Sequence, residues 1–158
     1  MGLINFITYS YRQFVRFLIF ITPLFDLLAR VWVAYAFFLA GINKVMTWDS
    51  TVLLFMNEYH VPLLPPYLAA ILGTIAELIL PILLVLGLGG RISIFIFFIY
   101  NIIAMTSYPY LWTPDGQAGL YQHVAWGLLL GLLMCHGPGK ISIDHILHKK
   151  FLERGPRS

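Results

Sequence analysis

Residues 67–88 read YLAAILGTIAELILPILLVLGL, a run of 22 residues in which Glu77 is the one acidic or basic residue. As a helix rising about 1.5 Å per residue it would reach about 33 Å, enough to cross the roughly 30 Å of hydrocarbon in a bilayer. Pro65 and Pro66 stand before it as a start signal, and Gly87, Gly89 and Gly90 close it. A stretch apolar on every face is not the surface helix of a soluble domain, which keeps one side polar. It predicts a membrane span.

Working outward, three further spans are predicted. The first covers about 25–46, after Pro23, with Asp26 and Arg30 four apart near its start in the order that pairs on a helix. The others cover about 92–108, stopping before Pro109, and about 117–135, stopping at Gly137-Pro138-Gly139. Segments 47–66 and 109–116 read as loops. Residues 1–24 mix aromatic and aliphatic residues with Arg12 and Arg16, which predicts an amphipathic lead-in. No small-residue cleavage site follows the apolar run 17–25, so the amino terminus is expected to be retained. Near the other end, Ile143, Ile146, Leu147 and Phe151 share a helical face, with Lys149, Lys150 and Arg154 available to anionic headgroups. The expectation is one all-α membrane domain over 1–158: a four-helix transmembrane bundle with an N-terminal amphipathic helix, a short C-terminal interfacial helix and a cytoplasmic tail over 136–158.

Composition agrees with a lipid-facing chain. Hydrophobic residues make up 59% and charged residues 11%, against about a half and a quarter in soluble domains. The net charge of +3 does not point to nucleic acid, because the basic residues flank apolar segments and form no stripe. A single cysteine, Cys135, excludes an internal disulfide and CxxC chemistry. Four alternating spans would put Arg12, Arg16, Arg30, Arg91, Lys140, Lys149, Lys150, Arg154 and Arg157 on one side and Lys44 alone on the other. That imbalance predicts a bacterial inner-membrane protein with both termini cytoplasmic, and Trp48, Tyr67, Tyr108, Tyr110 and Trp112 form the outer aromatic belt.

Ionisable groups in hydrocarbon cost at least about 2.5 kcal/mol each, so those present are expected to turn inward. Arg30, Ala34, Phe37, Gly41 and Lys44 share one face of the first span, and Ala70, Gly73, Glu77 and Pro81 one face of the second. Pro81 frees the carbonyl of Glu77, and Glu77 is expected to be protonated or paired with a cation. His123, Gly127 and Gly131 repeat every four residues on the fourth span, a small-residue packing face carrying a histidine. Glu77 and His123 are the candidate proton-handling residues. Lys44, Asn101, Tyr100, Tyr121 and Trp126 are the candidate pocket, with a polar path from Lys44 through His123 to Asn101 and Glu77. The structural alternative is that these groups only fix helix register. Arg30 and Arg91 are expected to snorkel to headgroups. Cys135, His136, His145 and His148 match no standard metal spacing, and no metal site is predicted.

Three segments together resemble the DoxX family of small bacterial membrane proteins: Arg30 to Phe38 with Gly41 and Lys44, AELILPILLVLGLGGR over 76–91, and GPGKISIDH over 137–145. The resemblance spans about residues 25–148, and Glu77 and Arg91 match the family pattern. It implies a four-helix membrane bundle and favours quinone-linked redox work, through relatives named DoxD that are linked to thiosulfate:quinone oxidoreductase. The leading expectation is therefore a membrane subunit of a quinone-linked oxidoreductase. No flavin fingerprint or iron-sulfur cysteine set is present, so a redox partner protein would supply electrons, and a homo-oligomer is the alternative assembly. The competing readings are a permease component for a small solute or metal, and a membrane scaffold or assembly factor.

Overall fold

A computed structural model describes residues 2–152, and within them the chain is helical with no strand. Six helices follow in order: α1 (Gly2–Met46), α2 (Trp48–Asn57), α3 (Pro66–Leu86), α4 (Gly90–Ser107), α5 (Gln117–His136) and α6 (Ile143–Leu152). Short 3-10 turns at Pro109–Trp112 and Pro114–Gly116 join α4 to α5. Four helical segments are long and apolar enough to cross a membrane: α1, α3, α4 and Pro114–His136.

Helix α1 differs from its prediction in extent. Its 45 residues run unbroken through Pro23, so the lead-in and the first span form one rod about 67 Å long, twice what hydrocarbon requires. Proline removes one amide from the ladder and leaves the helix on both sides intact. In α1, every fully buried residue lies at or after Arg30; the bundle grips the second half only. A second difference is α2, which occupies part of the predicted 47–66 loop. Ten residues are too few to span, but Thr51 and Phe55, one turn apart, bury one face against α3.

The core lies where the four long helices meet. Val33, Ala34 and Phe37 of α1, Leu80 and Leu84 of α3, Ile94 and Phe97 of α4, and Leu130 and Leu133 of α5 form one cluster. Phe37 sits at its centre, edge-on to Phe97 at 4.9 Å and to Trp126 at 5.0 Å, in the tilted arrangement that the ring quadrupole favours. Gly41 sets the approach of α1 to α3. A Cβ there would stand 3.0 Å from the Cβ of Glu77.

One end of the bundle is closed by Arg30. The snorkelling predicted for this side chain does not occur: Arg30 is 0% exposed. Its guanidinium donates to the carbonyls of Leu84, Val85 and Ile141, and its Nε to that of Asp26. The last carbonyls of α3 have no partner within their own helix, and the 137–142 segment folds over them, so the arginine is drawn inward. Arg91 is exposed, as snorkelling requires. Gly87 lies in this junction at φ +64°, with space for no side chain: a Cβ would fall 2.4 Å from that of Ser142. Gly87→Ala is expected to cost about 3 kcal/mol, from the left-handed backbone and the overlap together. Thermal unfolding in detergent measures it.

Candidate functional site

At the opposite end the helices part around a cavity of about 400 Å³. Its walls come from five elements. Helix α1 supplies Ala36, Phe37, Ala40 and Lys44, α2 supplies Phe55, and α3 supplies Ala69, Leu72, Gly73, Ala76 and Glu77. Tyr100, Ile103, Ala104 and Ser107 come from α4, and His123 and Trp126 from α5. Each set repeats at three- and four-residue spacing, which is how a helix shows one face to a common space. Tyr59, Val61 and Leu64 from the α2–α3 connection roof it, with Leu111 beside them.

The polar groups come in two sets. In the first, Lys44 Nζ donates to Glu77 Oε2 at 2.5 Å, an ion pair between α1 and α3. The carboxyl group therefore has the cation that its position in an apolar span calls for. Tyr100 Oη donates to the other oxygen of Glu77 at 3.1 Å and lies the same distance from the carbonyl oxygen of Gly73. In the second set, Asn101 Nδ2 donates to the backbone carbonyl of His123 at 3.0 Å. This fixes Asn101 Oδ1 as the acceptor facing His123 Nδ1, 2.9 Å away. The histidine proton must then sit on Nδ1, and in the neutral ring Nε2 keeps its lone pair on the cavity side. Nε2 makes no hydrogen bond among the described residues.

These two sets replace the single polar path expected between Lys44 and Asn101. Phe37 stands between them, with its ring 6.2 Å from Tyr100 and 5.9 Å from His123. The structure brings Lys44, Glu77, Tyr100, His123 and Trp126 to one cavity and places Asn101 behind His123. It does not bring Tyr121, which is 66% exposed. Two residues along a helix turn the side chain through roughly 200°, so Tyr121 and His123 face opposite ways, whereas Trp126 returns to the histidine face. Gly127 packs against the Asn101 amide and Gly131 lies close to Phe98, so the small-residue face of α5 is occupied by α4 within the chain.

Ser107 is a site residue that the sequence reading missed. It is 1% exposed, and its hydroxyl has no hydrogen-bond partner among the described residues, although it lines the cavity. Its signal was its spacing: Tyr100, Ile103, Ala104 and Ser107 form one stripe of α4. Phe55 and Tyr59 were also missed, because the helix and turn that carry them read as loop. Their rings stack at 4.5 Å, and Tyr59 stacks on Tyr108 at 4.6 Å. Burial foremost, and then the charge of Glu77, raises the Tyr59 phenol above its ordinary pKa. It therefore stays a neutral donor at the cavity roof. Among the described residues no group of three or more His, Cys, Asp or Glu comes together as metal ligands would.

Asn101→Ala removes the acceptor that orients His123. It is expected to cost about 2 kcal/mol, since the Nδ1 proton and the His123 carbonyl each lose a buried partner. Unfolding in mixed micelles tests this value.

Four apolar helices around an off-centre cavity, with a handful of ionisable groups turned inward, define a small polytopic membrane protein. The DoxX family profile matches residues 25–109. Inner membrane protein YphA of Escherichia coli (strain K12) is 31% identical over 128 residues, covering 77% of this chain and 89% of the relative. The chain belongs to the DoxX family. No solved structure matches it at a significant level.

Proposed function

We propose that this chain is the carrier-binding membrane subunit of a redox system, seated in an inner membrane with both termini cytoplasmic and the cavity toward the outer face. The ligand class is a quinone. The observation that carries this reading is the convergence of Lys44–Glu77–Tyr100, the free Nε2 of His123 and the unpartnered Ser107 hydroxyl on one aromatic, mostly apolar cavity.

A quinone presents two carbonyl oxygens on a flat ring, and its reduced form presents two hydroxyls. The cavity has donors for the first form in the Lys44 ammonium and the Ser107 hydroxyl, and acceptors for the second in His123 Nε2 and the Glu77 carboxylate. Trp126, Phe37 and Tyr100 offer ring edges and faces to a planar group. His123 and Glu77 are the side chains able to take up or release the protons that accompany quinone chemistry. With one cysteine and no flavin fingerprint, the chain relies on a partner protein for electrons. Glu77 also answers to the family, since it lies in the AELILPILLVLGLGGR stretch inside the matched residues.

Titration of the protein in lipid nanodiscs with a short-chain benzoquinone, followed by quenching of Trp126 fluorescence, tests the reading, with Trp126→Phe as the signal control. Glu77→Gln and His123→Ala are each expected to weaken binding by about tenfold, the loss of one good hydrogen bond to a polar ligand. Absence of quinone from lipid extracts of the purified protein, together with no saturable quenching, would overturn it.

A further inference from the structure

The cavity is not confined to the interior. On α3, Leu68, Leu72, Ile75 and Ile79 repeat at four, three and four residues and are exposed along the outside of the bundle. On α4, Ile96, Ile99 and Ile103 do the same. Leu72 and Ile103 belong to these outward stripes, at 45% and 40% exposure, and both also line the cavity. A side chain can lie on an outer stripe and on a cavity wall only where the cavity reaches the outside between those helices. Just inside them the seam is walled by the small residues Gly73, Ala76 and Ala104, which leave width where larger residues would close it.

We propose that the cavity is loaded sideways from the bilayer through the seam between α3 and α4, and that its ligand carries an apolar chain that stays in the seam while a polar head reaches Glu77 and His123. This rests on the proposed function for the head and adds the route and the chain. The polar groups gather at the inner wall and the apolar ones line the way in, so a ligand with both parts satisfies each: an uncharged amphiphile dissolved in the membrane. Tyr100 of α4, whose hydroxyl lies 3.1 Å from the Gly73 carbonyl oxygen of α3, is the hydrogen-bonding side chain at the inner edge of the seam. Leu72 and Ile103 farther out offer none, so a water-soluble solute would cross the outer part without compensation for lost hydration.

Two measurements separate the route from the head group. In nanodiscs, a decyl-substituted benzoquinone is compared with the same ring lacking the chain, after correction for partition into lipid. Ala76→Phe and Ala104→Phe fill the seam at the cavity wall and are expected to weaken the decyl compound about tenfold more than they weaken the bare ring. Equal losses for both ligands, or none for either, would overturn the lateral route. The second measurement needs no quinone and no variant: the wild-type protein in vesicles of phosphatidylcholine bearing a diazirine in its acyl chain is irradiated and mapped by mass spectrometry. Label on Ala76 and Ala104 as well as on Ile75 and Ile79 supports an open seam. Label restricted to the outward stripe refutes it. If no quinone binds the wild type but the inner alanines are labelled, the head-group assignment fails and the lateral route stands.

Discussion

Arg30→Ala is expected to lower the stability of the bundle by about 3–5 kcal/mol, among the largest losses any single substitution in this chain should produce. The guanidinium is wholly enclosed, and among the described residues no carboxylate lies in hydrogen-bond contact with it; four backbone carbonyls surround it instead. Two of these, from Leu84 and Val85, stand at the C-terminal end of α3, where the helix dipole places partial negative charge. The arginine thus serves as a cap for α3 and as the fastening of the 137–142 segment through Ile141. Alanine would take the donor from the Val85 and Ile141 carbonyls, while Leu84 keeps the Gly87 amide, and would open a void between three elements. Lysine is expected to recover less than half the loss, since a single ammonium cannot fork to three separated carbonyls. Methionine separates volume from charge. Reversible unfolding in mixed micelles reads all three variants, and wild-type stability in Arg30→Met would show that filling the space is the whole role.

What the sequence made legible follows from what lipid enforces. The 67–88 run, its glycine stop and its lone carboxyl group could be read without neighbours, because a residue inside hydrocarbon has few permitted situations. The same constraint placed Lys44, Gly41 and Phe37 on one inward face of α1. Where the constraint relaxes, the reading weakened. Helix α2 is too short to span, so its apolar run Val52–Met56 gave no signature of a span and passed for loop, hiding Phe55 and Tyr59. Arg30 was assigned to headgroups because position near a boundary says nothing of a neighbouring segment folding over it, and that segment is more than 100 residues away in the chain. Tyr121 was placed in the candidate pocket with His123, although helical geometry turns the two apart.

The second large effect concerns the ion pair, and it distinguishes a ligand site from a device that only fixes register. Glu77→Leu would leave the Lys44 ammonium without its partner in a mostly apolar cavity wall, an arrangement expected to cost about 3 kcal/mol. The paired variant Lys44→Met with Glu77→Leu removes both charges and keeps comparable volume, so most of that loss is expected to return; such replacements are often neutral or stabilising. Tyr100 keeps an acceptor in the Gly73 carbonyl, and Gly41 still allows α1 to approach α3 closely. If the pair exists only to align two helices, the restored bundle should bind and function as the wild type does. If it exists to meet a polar head, stability returns and binding does not, because neither the donor nor the acceptor has been replaced. The two quantities, thermal midpoint and benzoquinone affinity, therefore must diverge in the double variant, and wild-type affinity in a bundle lacking both charges would leave the Lys44–Glu77 pair with packing as its only role.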